Sequence, residues 1–159
     1  MRIFINILGL VVFIALPLAA AAIGGMATGS SVGSWYPEIA KPSWTPDGSV
    51  IGTVWGILYP AMGIAAWLVW LQRERTRVFE PLLIWLIHLP FNALWSVLFF
   101  GLQSPGLALL EIVVLWVLIA VTTAAFYTRS VAAGVLMTPY VLWVAFAGFL
   151  NFCIWWMNL

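Results

Sequence analysis

At 159 residues the chain has the length of one domain, yet only 7% of it is charged and 65% is hydrophobic. Soluble domains carry roughly 25% charge. Eleven tryptophans and ten phenylalanines exceed what a small water-facing surface can hide. A soluble globular domain is therefore excluded and a polytopic membrane protein is expected. The net charge of +1 leaves no basic stripe for nucleic acid. One cysteine, Cys153, and one histidine, His88, supply neither a disulfide nor a metal-ligand cluster. No phosphate-binding glycine loop and no HExxH motif occurs, so no standard catalytic signature is present.

A membrane-crossing helix needs about 20 mostly apolar residues. In chain order, five segments qualify: Ile3–Ala27, Gly48–Leu71, Phe79–Gly101, Pro105–Tyr127 and Val131–Met157. The first follows Met1-Arg2 and contains the run Ala19–Ala22, the outline of a signal peptide. Its apolar stretch outruns the 7–15 or so residues of a signal core, so a retained helix is expected. Residues Thr28–Asp47 hold most of the turn formers together with Glu38, Lys41 and Asp47. Gln72–Val78 is an arginine cluster, and Leu102–Ser104 and Thr128–Ser130 are very short turns. Short turns force antiparallel neighbours. The expected architecture is an all-α membrane protein, a single domain over residues 1–159, with five transmembrane helices and the long first loop as a lid. No internal repeat is evident, and an odd span number argues against paired inverted repeats.

Lysine and arginine placement sets orientation. Arg2, Arg73, Arg75, Arg77 and Arg129 share one side of such a bundle, and Lys41 stands alone on the other. The expectation is a cytoplasmic N-terminus, with the first loop and the C-terminus outside, most simply in a bacterial cell membrane. The arginine cluster also suits contact with anionic lipid headgroups.

Polar groups inside spans are costly and therefore informative. Helical spacing aligns His88, Asn92, Trp95 and Phe99 on the third span. It aligns Tyr140, Trp143, Ala147 and Asn151 on the fifth, and Ile51, Trp55 and Tyr59 on the second. Glu111 falls about one and a half turns inside the fourth span. Trp35, Trp44, Trp67, Trp70, Trp155 and Trp156 stand at span ends, as an aromatic belt requires, whereas Trp55, Trp95, Trp116 and Trp143 do not. Alternating span directions bring Trp55, Asn92, Trp95, Glu111 and Asn151 to the outer half, below the tryptophan- and proline-rich loop. This predicts an aromatic-walled cavity with few polar anchors. Plain helix packing accounts for the same stripes, and His88 reads first as a hydrogen-bonding core residue and only second as a haem ligand. Gly52-Thr-Val-Trp-Gly56 hints at close helix packing, within the chain or between chains.

The first loop is more specific. Trp35-Tyr36-Pro-Glu-Ile-Ala-Lys41-Pro42-Ser-Trp44-Thr-Pro46, followed by Ile51-Gly-Thr-Val-Trp55-Gly-Ile-Leu-Tyr59-Pro-Ala-Met62-Gly63, resembles the signature of the TspO/MBR family. That family comprises tryptophan-rich sensory proteins and the mitochondrial translocator protein, once called the peripheral benzodiazepine receptor. Phe91-Asn92-Ala-Leu-Trp95 with Phe99-Phe100-Gly101, and Pro139-Tyr140-Val-Leu-Trp143 with Phe146-Ala147 and Leu150-Asn151, extend the resemblance over essentially the whole chain.

The resemblance implies a five-helix homodimer in the membrane that binds protoporphyrin IX or haem as ligand, with no required cofactor. By motif position, Trp55 and Trp143 match tryptophans associated with porphyrin binding and breakdown. Pro46, Ile51, Asn92, Trp95, Tyr140 and Ala147 match pocket-lining positions, Asn151 belongs to the same motif, and Trp35, Tyr36, Lys41, Pro42 and Trp44 match the lid. Glu111 stands where a number of relatives are acidic, and His88 where many have glutamine, which adds a haem-ligating option. Lys41 is the one cation near the propionates of such a ligand. The sterol motif proposed for animal members is broken at Phe152 and Trp156, so strong cholesterol binding is not expected. Three functions follow: a tetrapyrrole receptor acting in sensing, sequestration or transport; light- or oxygen-dependent porphyrin degradation at Trp55 and Trp143; and a lipid or sterol carrier. No acid/base pair supports ordinary catalysis, which leaves an enzyme the weaker reading.

Overall fold

The computed structural model describes residues 1–159 and contains five helices and no strands. They are α1 (Arg2–Gly29), α2 (Gly48–Trp70), α3 (Phe79–Ser96), α4 (Pro105–Tyr127) and α5 (Val131–Met157). Each is long and apolar enough to cross a membrane. With the turn Val97–Gly101 counted in the third span, the boundaries agree with the hydropathy reading to within two residues, because the charges and turn formers that interrupt the apolar runs also end the helices. Pro105 opens α4 at a position where its missing N–H costs nothing. Ser130 caps α5, its hydroxyl accepting from the Ala133 N–H at 3.3 Å.

Round the bundle the order is α1, α2, α5, α4, α3 and back to α1. Buried side chains face inward around Met62, Trp85, Leu115, Met137 and Tyr140. Leucines, isoleucines and valines are exposed on the outside of every helix, as hydrocarbon requires. The short turns Leu102–Ser104 and Thr128–Ser130 keep α3, α4 and α5 close neighbours. Gln103 takes a left-handed backbone (φ 51°) to close the first of these turns.

At the arginine end, α1 and α2 are in tight contact. The Trp67 indole donates to the Asn6 carbonyl at 2.9 Å. Arg73 stacks 3.5 Å from the Trp70 ring and donates to Asn6 Oδ1 at 3.2 Å. Trp67 and Trp70 are therefore occupied in helix packing rather than forming a simple lipid belt.

Between Ser96 and α4 the third span departs from a regular helix: Val97–Gly101 forms a π-helical turn, with the Leu102 N–H bonded to the Val97 carbonyl at 2.8 Å. Such wide turns concentrate at functional sites. This one brings Phe99 and Phe100 under the first loop, 4.9 Å apart ring to ring.

Candidate functional site

All five helices enclose a cavity of about 490 Å³ at the lid end of the bundle, within the ordinary range for small-molecule sites. Its floor is a chain of hydrogen bonds. The Tyr59 hydroxyl donates to Asn92 Oδ1 at 2.5 Å, and Asn92 Nδ2 donates to the Tyr140 hydroxyl at 2.7 Å. One asparagine thus ties α2, α3 and α5 together at that level. Higher up, Trp95 Nε1 donates to Asn151 Oδ1 at 3.0 Å, and Asn151 Nδ2 donates to the Pro105 carbonyl at 2.8 Å. Both asparagines spend their amides on other helices, as polar side chains within a bilayer must. What remains for a ligand is mostly aromatic surface from Trp55, Trp95, Phe99, Trp143 and Phe146. No charged side chain lines the cavity.

The lid is fastened at several points. Ser31 Oγ donates to the Phe100 carbonyl at 2.7 Å, and the Trp35 and Tyr36 rings lie 5.7 and 6.2 Å from Phe99. Trp44 stacks on Phe149 of α5 at 5.6 Å. The Ala40 N–H donates to Asn158 Oδ1 at 3.0 Å, and Asn158 Nδ2 returns a bond to the Ala40 carbonyl at 2.9 Å. Lys41 folds the loop from within, its ammonium donating to the Tyr36 and Ile39 carbonyls and lying 4.7 Å from the Tyr36 ring centre. Burial pushes the Tyr36 phenol above its ordinary pKa. Asn158→Ala removes the two-point latch, a loss of about 1 kcal/mol per bond at most at this exposed site. Hydrogen exchange is expected to speed up at the Ala40 amide and across the lid while the helices keep their protection.

Of the residues singled out from sequence, Tyr36, Ile51, Trp55, Asn92, Trp95, Trp143, Ala147 and Asn151 line the cavity. Trp35, Pro46, His88, Glu111 and Tyr140 do not. Trp35 packs behind the wall on Phe99, and Tyr140 is the buried end of the floor, bonded to Asn92. His88, on the expected stripe, is one turn too deep. It is sealed between Trp85 and Tyr140, with ring centres 6.3 and 5.7 Å away. It is fully buried, as the expected core role requires, and it does not border the cavity. Glu111 is 8% exposed, and neither of its carboxyl oxygens is bonded. Lys41 does not border the cavity, and its ammonium is bonded to loop carbonyls. Trp116 lies on the outer surface, donating to the Val141 carbonyl at 3.1 Å.

Sequence reasoning missed the contribution of α1, whose Ala21, Gly24, Gly25, Thr28 and Gly29 form one wall. The close packing suggested at Gly52 and Gly56 is not made within the chain. A Cβ at either meets nothing within 4 Å, and the close contact of the α1–α2 pair occurs at Gly63 instead.

Comparison with known proteins agrees with this architecture. Residues 13–157 match the sequence pattern of the TspO/MBR family. The human translocator protein is 40% identical over 123 residues, covering 76% of this chain and 73% of its own length. A "Tryptophan-rich protein TspO" of Chlorobaculum tepidum is 38% identical over 154 residues, covering 96% of this chain and 98% of its own. A "Tryptophan-rich sensory protein" of Cereibacter sphaeroides is 36% identical over 135 residues, covering 83% and 84%. With five helices of spanning length and this match over nearly its whole extent, the chain is an integral membrane protein and belongs to the TspO/MBR family.

Proposed function

We propose that this protein is a membrane receptor for tetrapyrroles, holding protoporphyrin IX or haem in the cavity beneath the lid for sensing, sequestration or transport. The observation that carries the reading is the convergence of Trp55, Trp95 and Trp143 on one uncharged cavity. A flat macrocycle gains most from such walls by stacking. Because no carboxylate partner lines the cavity, the propionates point out of it toward the membrane interface. The ligand is bound as cargo; no cofactor is required. Haem is held by contacts other than His88, which is sealed from the cavity. The chain is oriented with its N-terminus and arginine cluster in the cytoplasm and the lid outside a bacterial cell membrane, and it works as a homodimer.

The same tryptophans support a second reading, porphyrin breakdown under light or oxygen at Trp55 and Trp143, which predicts a new absorbing product that disappears when both are replaced. The carrier reading predicts saturable binding of sterol or lipid in place of porphyrin.

The experiment is a titration in the dark with protoporphyrin IX and then haem, read by tryptophan fluorescence, of the wild type and Trp55→Phe/Trp143→Phe. Aromatic pairs contribute about 0.5–1.5 kcal/mol each. Phenylalanine keeps a smaller ring that still stacks, so the double variant loses part of two such contributions and is expected to bind roughly three- to tenfold more weakly. Equal affinity in both proteins contradicts the assignment.

A further inference from the structure

The cavity wall between α1 and α2 is incomplete. Towards the arginine end these helices touch backbone to backbone, a Cβ on Gly63 falling 2.6 Å from the Phe13 carbonyl oxygen and 2.8 Å from Ile14 Cα. Continuing this antiparallel register toward the lid brings Pro17 level with Pro60, Ala21 with Gly56, Gly25 with Gly52 and Gly29 with Gly48. Above the two prolines the helices part. The lid half of α1 leans on α3, where a Cβ on Gly24 falls 3.1 Å from Ser96 Oγ. The lid half of α2 leans on α5, with Trp55 and Tyr140 ring centres 6.0 Å apart. Gly25, Gly29, Gly48 and Gly52 all border the cavity, and a Cβ at any of them meets nothing within 4 Å. At that seam the boundary is bare backbone around open space.

The other side of the cavity is shut. The lid runs over α3 and α5, held by Ser31, Trp35, Tyr36, Ala40 and Trp44, and only its Val32 and Tyr36 reach the cavity. The lid halves of the two helices also expose the apolar side chains Ile23, Met26, Val50 and Ile57. Neither helix carries a charge between Ile3 and Gly29 or between Gly48 and Trp70. A gap between two charge-free spans faces hydrocarbon over their apolar length.

We propose that the gap between the lid halves of α1 and α2 is a lateral entrance, through which thin, membrane-dissolved molecules, flat macrocycles edge-on among them, pass between the lipid and the cavity. The glycines set its width: side chains there would fill it. This rests on the reading that the cavity holds a ligand, and it adds the route and the selection for ligands already partitioned into the membrane.

The test uses Gly29→Cys/Gly48→Cys on a Cys153→Ser background in lipid nanodiscs, bridged by a short, reducible bis-methanethiosulfonate. Stopped-flow fluorescence follows protoporphyrin IX in the dark. Bridging is expected to slow association at least tenfold, and reduction of the same sample to restore it. An unchanged rate, with bridging verified by mass, overturns the entrance. If the unbridged protein shows no saturable porphyrin binding, the tetrapyrrole reading fails by itself. A phosphatidylcholine bearing an acyl-chain diazirine then decides the entrance. Photo-adducts on Trp143 or Ala147, lost on bridging, uphold it, and their absence overturns it.

Discussion

Asn92→Leu is expected to be among the most damaging single substitutions in this protein. Leucine matches asparagine in size but offers neither the acceptor that takes the Tyr59 proton nor the donor that reaches Tyr140. Tyr59 borders the cavity and regains a partner from water there. Tyr140 is 1% exposed and does not. An orphaned buried hydroxyl costs about 1–3 kcal/mol, more than the roughly 0.6 kcal/mol average of a hydrogen bond between membrane helices. Denaturant unfolding in detergent should register that loss. The control is Asn92→Leu/Tyr140→Phe, which removes both ends of the bond and should recover part of the stability. A double variant less stable than Asn92→Leu alone contradicts this account of the floor.

Gly63→Ala is the second. The added methyl meets the Phe13 carbonyl oxygen and Ile14 Cα, which are backbone atoms of another helix and have no rotamer to change. Overpacking of this kind costs about 1–3 kcal/mol, and here it forces α1 away from α2 at their closest approach. Gly9→Ala adds the same methyl one helix over, where it meets the Trp70 ring at 2.7 Å. A ring turns more readily than a backbone moves, so Gly9→Ala should destabilise less. Unfolding midpoints of the two alanine variants, measured side by side, check the order.

Both predictions turn on features that the sequence reveals unequally. The five helices were legible because, in a membrane protein, charges and turn formers are confined to the ends of the spans. The arginine cluster Gln72–Val78 separates α2 from α3, and Pro105 marks the start of α4. Faces were legible too, since helical spacing brings Asn92, Trp95 and Phe99 onto one side of α3, all three bordering the cavity. Depth was not. His88 continues the same stripe, but the hydrogen-bonded floor closes the cavity above it, and that floor depends on three helices meeting at one level. The side chain of Tyr140 belongs to the floor for the same reason.

The wall from α1 was hidden for a different reason. Gly24, Gly25 and Gly29 carry no functional group, so nothing in their chemistry announces a site. Their spacing on α1, matched by Gly48, Gly52 and Gly56 on α2, was the available signal. A GxxxG motif conventionally points to contact. Here contact occurs at Gly63, and beyond Pro17 and Pro60 the helices separate. Nor does local sequence disclose the π-helical turn at Val97–Gly101, since Val97, Leu98, Phe99 and Phe100 are ordinary helix or strand formers and Gly101 only marks its end. The role of Lys41 was likewise decided by the folded loop, whose carbonyls surround its ammonium.

The central claim, that the cavity under the lid is where a tetrapyrrole is held, is tested most directly by filling it. Ala147 borders the cavity on α5 beside Trp143 and Asn151, and Ala147→Trp puts an indole into the space otherwise left for the ligand. The measurement is the dark titration with protoporphyrin IX, applied to the wild type and to Ala147→Trp after both are shown to unfold at similar denaturant concentrations. Saturable binding by the wild type at one ligand per chain, lost in Ala147→Trp, is the predicted result. Equal saturation in the two proteins, or none in the wild type, contradicts the claim.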